Sequence, residues 1–290
     1  MTTLTNDGLF AVAKRLGVQT LPVVLAVAPQ HDSYNDWRDA QERATADLTA
    51  AGVLDPYGEV ESELALALFA LSQPDREIVA RIYATAPESA DAEPESTPEQ
   101  PTELTRPAGL PSARVVRVCV ARRGEQHAAA VRTGDSFDIE AIWSDGSGTA
   151  LARPLLQALG AGTPADVATF SAPADELAQR LDESTTAVDY ADALYALGVA
   201  DRDATVLGLA FASCRGYAEI VAYAHEDGST IRSPGAIAIY ETGRGRVLVT
   251  AGIAPDQQLW STVAPGTDRR IAEALSTVVE MLPGGRWLTD

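Results

Sequence analysis

Glu77-Ile78-Val79-Ala80 is repeated later in the chain as Glu219-Ile220-Val221-Ala222. Around both copies apolar side chains alternate with polar ones, which is the pattern of a half-buried β-strand. Two segments with helical spacing precede each copy. The repeat therefore predicts two strands that hold equivalent positions in two related halves of the chain.

Two further matches follow in the same order in both halves. Arg123-Gly124 recurs as Arg244-Gly245 at the turn of a predicted hairpin, and Gly148-Thr149 recurs as Gly266-Thr267 at the start of a predicted helix. Three matches in one order indicate two copies of a helix–helix–strand–hairpin–helix unit. We therefore expect residues 1–290 to form a single domain of two pseudo-repeats, about 1–165 and 166–290.

Hydrophobic spacing and turn residues place the individual elements. Helices are predicted at Leu9–Leu16, Trp37–Ala51, Glu61–Leu71, Ser171–Leu181, Val188–Leu197 and Asp201–Ser213 (ended by Gly216), with a last helix capped by Thr267 and reaching Leu282. Strands are predicted at Leu21–Val27, Arg76–Ala84, Tyr217–His225, Ala236–Glu241, Arg246–Thr250 and Gln258–Val263. Helices and strands thus occur in both halves.

Residues 86–112 differ in composition from the rest of the chain. They hold six prolines, six acidic residues, a single arginine and no aromatic residue. Such a segment cannot bury enough apolar surface to offset the entropy that it would lose on ordering. We expect a flexible acidic loop inserted between paired strands of one sheet, and not a linker between two domains.

The charge of the chain limits the partners that it can bind. Acidic residues outnumber basic residues by 41 to 22, which gives a net charge of −19 at pH 7. Proteins that bind nucleic acids or anionic membranes do so with basic side chains that neutralise phosphates. The sequence therefore predicts no nucleic-acid partner and no binding to an anionic membrane surface.

One stretch near the N-terminus resembles an export signal. Lys14-Arg15 precedes an apolar run that ends in Ala26-Val27-Ala28, an Ala-x-Ala pattern. Polar residues interrupt this run, and Asp7 places a negative charge where a signal peptide is basic. The run is also shorter than a membrane-spanning helix requires. We therefore expect a cytoplasmic protein without membrane insertion.

The sequence contains no motif for catalysis or for cofactor binding. It lacks the nucleophile elbow and the phosphate-binding and dinucleotide-binding loops of common enzymes. Cys119 and Cys214 do not have the spacing of a zinc site or a disulfide framework, and the three histidines are far apart. Two isolated cysteines also fit a reducing cytoplasm. These observations favour a binding protein over an enzyme, with no catalytic residue, metal or cofactor.

The two faces of the second repeated strand differ in character. Its apolar face consists of Ala218, Ile220, Ala222 and Ala224 and is suited to helix packing. The other face carries the candidate partner-binding residues, which are Tyr217, Glu219, Tyr223, His225 and, on the next strand, Tyr240.

Tyrosines among charged residues suit a protein interface, because the ring buries apolar area while the hydroxyl keeps a polar partner. On this interpretation, replacing Tyr217 and Tyr223 with alanine weakens partner binding without unfolding the protein. A half-solvated sheet face is the alternative.

Several motifs follow one another in an order that resembles one protein family. In the C-terminal half they are Glu219-Ile220-Val221-Ala222, Asp227-Gly228, Gly245-Arg246-Val247-Leu248-Val249, Trp260-Ser261, Pro265-Gly266 and Leu282-Pro283-Gly284-Gly285-Arg286-Trp287. In the N-terminal half they are Leu21–Val27, Gly52-Val53-Leu54 and Arg76-Glu77-Ile78. The sequence resembles the EspG family, the ESX (type VII) secretion-associated proteins of mycobacteria and related actinobacteria. The resemblance covers nearly the whole chain except the proline-rich segment.

The resemblance implies an α+β fold, with a quasi-twofold central antiparallel β-sheet flanked by two helical bundles. It also implies a cytoplasmic, non-enzymatic chaperone that binds the helical tip of the PPE subunit in a PE–PPE heterodimer. Such a chaperone keeps its substrate soluble and directs it to the cognate secretion system. The alternative is an uncharacterised small-molecule enzyme or a regulatory scaffold on the same fold. Self-association is left open by the sequence.

Overall fold

The computed structural model describes residues 1–85, 113–254 and 257–288. Its helices are α1 (Asn6–Leu16), α2 (Tyr34–Ala50), α3 (Ser62–Ser72), α4 (Gly148–Leu159), α5 (Ala174–Asp182), α6 (Ala187–Ala196), α7 (Asp201–Ala212) and α8 (Asp268–Glu280). Its strands are β1 (Thr2–Thr5), β2 (Arg76–Thr85), β3 (Ala113–Arg123), β4 (Gln126–Thr133), β5 (Ser136–Ala141), β6 (Phe170–Pro173), β7 (Cys214–Glu226), β8 (Ser229–Arg232), β9 (Ile237–Thr242), β10 (Gly245–Ile253) and β11 (Leu259–Pro265).

The strands form one antiparallel sheet. From either edge, each half contributes first its short edge strand and then its other strands from the last to the first. The order is β1-β5-β4-β3-β2-β7-β9-β10-β11-β6, and β8 pairs with β7 outside this path. Each half contributes a short edge strand, three helices, a group of strands and a final helix. This arrangement is what two pseudo-repeats would produce. The boundary near residue 165 stays a prediction.

The two copies of the repeated tetrapeptide pair with each other at the centre of the sheet. In the antiparallel β2–β7 ladder Val79 lies opposite Val221, and Ile78 lies opposite Ala222. The quasi-twofold axis therefore passes through the Val79–Val221 pair. The repeat marks the position where the two halves of the molecule join.

One face of the sheet is covered by α4 and α8. The alternate residues Ile78, Ala80 and Ile82 of β2 are buried there, together with the predicted apolar face of β7. Leu151 and Leu155 of α4 and Leu275 and Val278 of α8 complete this core. The small alanines of β7 suit the close packing of helices on the sheet, as the sequence predicted.

Two helical bundles cover the two ends of the opposite face. Helices α1–α3 pack on β3, β4 and β5 and share a core with Cys119, Ala130 and Phe137. Helices α5–α7 pack on β9, β10 and β11 and share a core with Tyr240 and Val249. The predicted α+β fold, a central antiparallel sheet flanked by two helical bundles, is therefore confirmed.

The segment Leu21–Val27 is not the strand that we predicted from its apolar residues. It contains a 3₁₀ helix, Val23–Leu25, which is followed by Ala26 in the left-handed conformation at φ 47°. Among the described residues no strand pairs with this segment. A side chain binds its backbone instead, since Arg132 Nη1 donates to the carbonyl oxygen of Leu25 at 2.9 Å. Burial of Val24 and Leu25 explains the apolar composition of the segment.

The predicted helix Ser171–Leu181 begins later than expected. Residues Phe170–Pro173 form the edge strand β6, which pairs with β11, and α5 starts at Ala174. Gly216 does not end α7, which is already complete at Ala212, but lies at a register shift in β7. Both differences have one cause. Backbone N–H and C=O groups that local spacing assigned to a helix pair instead with a strand that is distant in the sequence.

The proline-rich segment 86–112 lies outside the described residues. The strands that precede and follow it pair with each other, and Ala84 lies opposite Arg114. The segment therefore connects two neighbouring strands of one sheet. Its flexibility stays an expectation.

Candidate partner-binding groove

A groove lies on the sheet face between the two bundles, over the paired centre of β2 and β7. Its volume is about 340 Å³. It is lined by Val23, Val24, Glu77, Val79, Arg81, Glu219, Val221, Tyr223, His225, Thr230 and Arg232. We call it the central groove. The uncovered middle of this face is where a partner can reach the sheet.

Strand alternation and one tight hairpin position the groove side chains. From Glu77 to Arg81 in β2 and from Glu219 to His225 in β7, every second residue faces the groove, since the intervening residues are buried under α4 and α8. Asp227 and Gly228, at φ 50° and 77°, form the turn between β7 and β8. This turn places Thr230 opposite His225 and Arg232 opposite Tyr223. The hairpin thereby builds one wall of the groove.

Glu77 is the centre of a hydrogen-bond cluster in the groove. His225 Nε2 lies 3.2 Å from Glu77 Oε1, and His225 Nδ1 lies 3.0 Å from Thr230 Oγ1. The thiol of Cys119 donates to Glu77 Oε2 at 3.7 Å. Burial, together with the nearby Glu77 carboxylate, raises the pKa of Cys119, so the thiol stays protonated and remains a donor. The cluster fixes the orientation of the Glu77 and His225 side chains.

The second carboxylate of the groove, Glu219, lies among arginines. Arg81 is its register partner on β2, and Arg232 Nη2 is 4.0 Å from Glu219 Oε1. Between the two charged ends the floor consists of Val79 and Val221. The groove can therefore hold an apolar segment in its middle and polar groups at both ends.

The structure divides the five predicted site residues into two groups. Glu219, Tyr223 and His225 line the central groove. Tyr217 and Tyr240, which are 2% and 6% exposed, are instead buried in the core under α5–α7. The groove brings the first three together, whereas Tyr217 and Tyr240 pack under the C-terminal bundle, where Tyr240 also lines a cavity beside α5.

Tyr217 and Tyr240 belong to an aromatic cluster. The ring centroids of Tyr217 and Tyr240 are 5.2 Å apart, and Tyr240 meets Phe211 of α7 edge-on at 5.2 Å. Tyr83 stacks on Tyr217 at 6.2 Å. Burial raises the pKa of the Tyr217 hydroxyl, which has no hydrogen-bond partner among the described residues. The expectation that Tyr217 can be replaced by alanine without unfolding the protein is not supported by this packing. The role of both tyrosines in binding stays a prediction.

Sequence reasoning missed several residues of the groove. Val23 and Val24 reach it from the 3₁₀ helix, and Thr230 and Arg232 reach it from β8. The Asp227-Gly228 turn was a usable signal for β8, because a hairpin returns the next residues alongside the strand that precedes it. The sequence carried no comparable signal for Val23, which is 82% exposed although it is aliphatic.

Within residues 1–85, 113–254 and 257–288, no group of three or more His, Cys, Asp or Glu side chains is arranged to hold a metal ion. In the same ranges, none of the helices has both the length and the apolar character needed to span a membrane.

Comparisons with known proteins agree with this architecture. The model of the EspG family matches residues 5–277. The ESX-1 secretion-associated protein EspG1 of Mycobacterium tuberculosis is 31% identical over 98% of this chain and 88% of the relative. The ESX-3 secretion-associated protein EspG3 of Mycolicibacterium smegmatis is 27% identical over 99% of this chain and 89% of the relative.

A solved structure has the same fold over its full length. It is the Mycobacterium tuberculosis type VII secretion system chaperone EspG5, in complex with the PE25–PPE41 dimer. The TM-score is 0.76 at 20% identity, and the match covers 99% of both chains. The family model and the 31% identical relative both extend over almost all of the sequence. This chain belongs to the EspG family.

Proposed function

We propose that the protein is a cytoplasmic, non-enzymatic chaperone of type VII secretion that binds a PE–PPE heterodimer through its PPE subunit. The observation that carries the proposal is the full-length match to a chaperone of the same fold that was solved with a PE–PPE dimer. The central groove supports it, because it is an open region on a sheet that is otherwise covered by helices. Through the captured PPE subunit, the chaperone keeps its substrate soluble and directs it to the cognate secretion system.

Physical chemistry explains why such a partner needs a chaperone. An apolar helical tip that is exposed on a protein awaiting secretion is prone to aggregate, and a complementary surface removes it from water. An interface of standard size buries roughly 1,600 Å² in total, so it extends beyond the groove onto the neighbouring bundle. The net charge of −19 keeps the complex soluble.

The test is co-expression with the PE–PPE pair encoded nearest to this gene, followed by size-exclusion chromatography with light scattering. We expect a stable 1:1:1 complex. Capture of a different PE–PPE pair would keep the function and change the assigned substrate. A folded chain that captures no such pair would overturn the proposal and favour the small-molecule enzyme or regulatory scaffold.

Two groove variants test where the partner binds. Tyr223→Ala removes a ring from the wall of the groove, and Arg232→Glu reverses a charge beside Glu219. We expect each to weaken binding at least tenfold, or about 1.4 kcal/mol. Tyr57→Ala is the matched control, because Tyr57 is 91% exposed and does not line the groove. Equal affinity of the groove variants and the control would show that the partner binds elsewhere.

A further inference from the structure

A row of basic side chains crosses the N-terminal half of the sheet, on the face that α4 and α8 cover. Arg76 of β2 lies opposite Arg122 of β3, and Arg122 lies opposite His127 of β4. The three residues are only 4%, 3% and 7% exposed. We call them the cation row. Burying a charged group is costly unless it is fully paired, so these side chains call for an explanation.

The C-terminal half shows that the fold does not require charged residues at this place. Arg76 and Ala218 lie at the same distance from the axis pair at the centre of the β2–β7 ladder. Ala218 lies opposite Ile239 of β9, and Ile239 lies opposite Leu248 of β10. These three equivalents of the cation row are apolar and belong to the core under α4 and α8. Packing on the sheet therefore does not account for the cation row.

The chain that follows α8 lies over the cation row. Arg76 Nη2 donates to the carbonyl oxygen of Pro283 at 2.6 Å, and Arg122 Nη1 donates to the carbonyl oxygen of Trp287. The rings of His127 and Trp287 are stacked, with their centroids 6.3 Å apart. The cation row thereby holds a segment of the C-terminal half on strands of the N-terminal half.

These contacts leave several buried donors of the two arginines and the indole without a partner in the described part of the chain. They are Nε and Nη1 of Arg76, Nε of Arg122 and Nε1 of Trp287. His127 Nε2 is unpartnered as well, and it can accept a hydrogen bond when the imidazole is neutral. Burial lowers the pKa of Arg122, and the neighbouring Arg76 acts in the same direction, whereas Asp75 opposes both.

The composition of this set favours an anion over a water molecule. A buried water needs acceptors for its own two hydrogens as well as donors for its oxygen. The unpartnered set instead combines four donor atoms with a single acceptor, His127 Nε2. An anion accepts from several N–H groups at once and needs no acceptor in return.

The charges around the row favour a small monovalent anion. Glu226 lies 3.1 Å from Arg76, and Asp75 lies 3.6 Å from Arg122. Both carboxylates are about half exposed, so solvent weakens their effect on the buried guanidinium groups. A divalent phosphate would add a second negative charge beside these carboxylates, and the burial of the donors favours a small ion.

We propose that the cation row binds a chloride ion beside the guanidinium groups of Arg76 and Arg122 and the indole of Trp287. The ion accepts hydrogen bonds from donors that the protein leaves unpartnered, which removes their desolvation cost. It thereby strengthens the attachment of the chain after α8 to β2 and β3. This site is separate from the central groove and does not depend on the proposed function.

The unfolding midpoint of the full-length protein tests the proposal. Chloride replaces the larger organic anion gluconate at constant ionic strength, so general screening of surface charges does not change. We expect the midpoint to rise saturably by about 3 °C, as it does when a ligand binds only the folded state. No rise, or a rise that does not saturate, would overturn the proposal.

Trp287→Phe tests whether the chloride binds at the cation row. It removes the indole N–H and keeps an aromatic ring against His127. We expect the half-maximal effect to need about tenfold more chloride, whatever the change in the midpoint itself. Trp260→Phe is the matched control, because it removes an unpartnered indole N–H from β11 in the other half. If the two variants depended on chloride equally, the proposal would be wrong.

Diffraction from crystals grown with bromide in place of chloride shows the ion directly, because bromide scatters anomalously. We expect an anomalous peak in contact with the guanidinium groups of Arg76 and Arg122. Ordered water at the row without a bromide peak would show that water satisfies these donors and would overturn the proposal. Neither measurement involves a PE–PPE pair, so failure here leaves the proposed function standing, and failure of the proposed function leaves this site standing.

Discussion

Tyr217 shows how one residue can carry a binding signature and yet belong to the core. It stands among charged residues on the correct strand face, but it is buried in the core under α5–α7, where its ring contacts those of Tyr83 and Tyr240. Its hydroxyl is buried, and the part of the chain that the structure describes offers it no hydrogen-bond partner. The ring therefore contributes to stability through packing, whereas the hydroxyl adds a desolvation cost.

This difference gives a prediction at the residue scale. Replacing Tyr217 with alanine should lower the free energy of unfolding by about 3–5 kcal/mol, because it removes a buried ring. Replacing it with phenylalanine keeps the ring and removes the unpartnered hydroxyl, so stability should stay within about 1 kcal/mol of wild type or rise. Urea unfolding of the two variants measures both effects. If Tyr217→Ala lowered the free energy of unfolding by much less than this, the aromatic cluster would be loosely packed.

At the scale of elements, the contact between α6 and α7 depends on one glycine. A Cβ atom on Gly208 of α7 would lie 2.4 Å from the backbone oxygen of Ala187 at the start of α6. Helix propensity alone favours alanine over glycine by about 1 kcal/mol. A backbone oxygen cannot move away as a flexible side chain can. We therefore expect the steric cost of the added Cβ to exceed the gain in helix propensity.

We therefore predict that Gly208→Ala destabilises the protein by about 1–3 kcal/mol, as an overpacked contact does. Gly252→Ala is the control, since a Cβ there meets no atom of residues 1–85, 113–254 and 257–288 within 4 Å. Thermal unfolding of both variants compares them with wild type. If Gly208→Ala were as stable as Gly252→Ala, the two helices would have to separate without cost.

The elements also show what the sequence can reveal. Alternation correctly predicted β2 and β7, and the Thr267 cap correctly predicted the start of α8, because these signals are local. The four-residue edge strands β1 and β6 are too short to show a periodic pattern, and pairing with β5 and β11 creates them. Leu21–Val27 is apolar because Val24 and Leu25 pack against the sheet. The sequence alone does not show those contacts.

The candidate site was predictable to the same extent. Alternation placed Glu219, Tyr223 and His225 on one strand face, and the structure places them in one groove. Alternation could not show that Tyr217, on the same face, is buried, because the core that surrounds it is completed by the helices α5–α7, which pack across the sheet. Which part of a face stays open is a property of how the bundles pack. That packing lies beyond the reach of strand patterns.

At the scale of the whole molecule, the two halves share both their central ladder and their main core. The β2–β7 ladder extends from Arg76 opposite Ala224 to Ala84 opposite Gly216. The core on the other face of the sheet combines α4 from the first half with α8 from the second. A half on its own would expose a long unpaired edge strand and an open apolar face, which favour aggregation.

We therefore predict that fragments 1–165 and 166–290 do not fold as monomers when they are expressed separately. In the intact chain the two copies of the tetrapeptide pair with each other across the axis. A fragment keeps only one copy, so we expect two identical fragments to pair through it. Co-expression should restore a soluble 1:1 complex with the circular dichroism spectrum of the intact chain. A fragment that is monomeric and unfolds cooperatively would show two independent domains, because its core would then be complete without the other half.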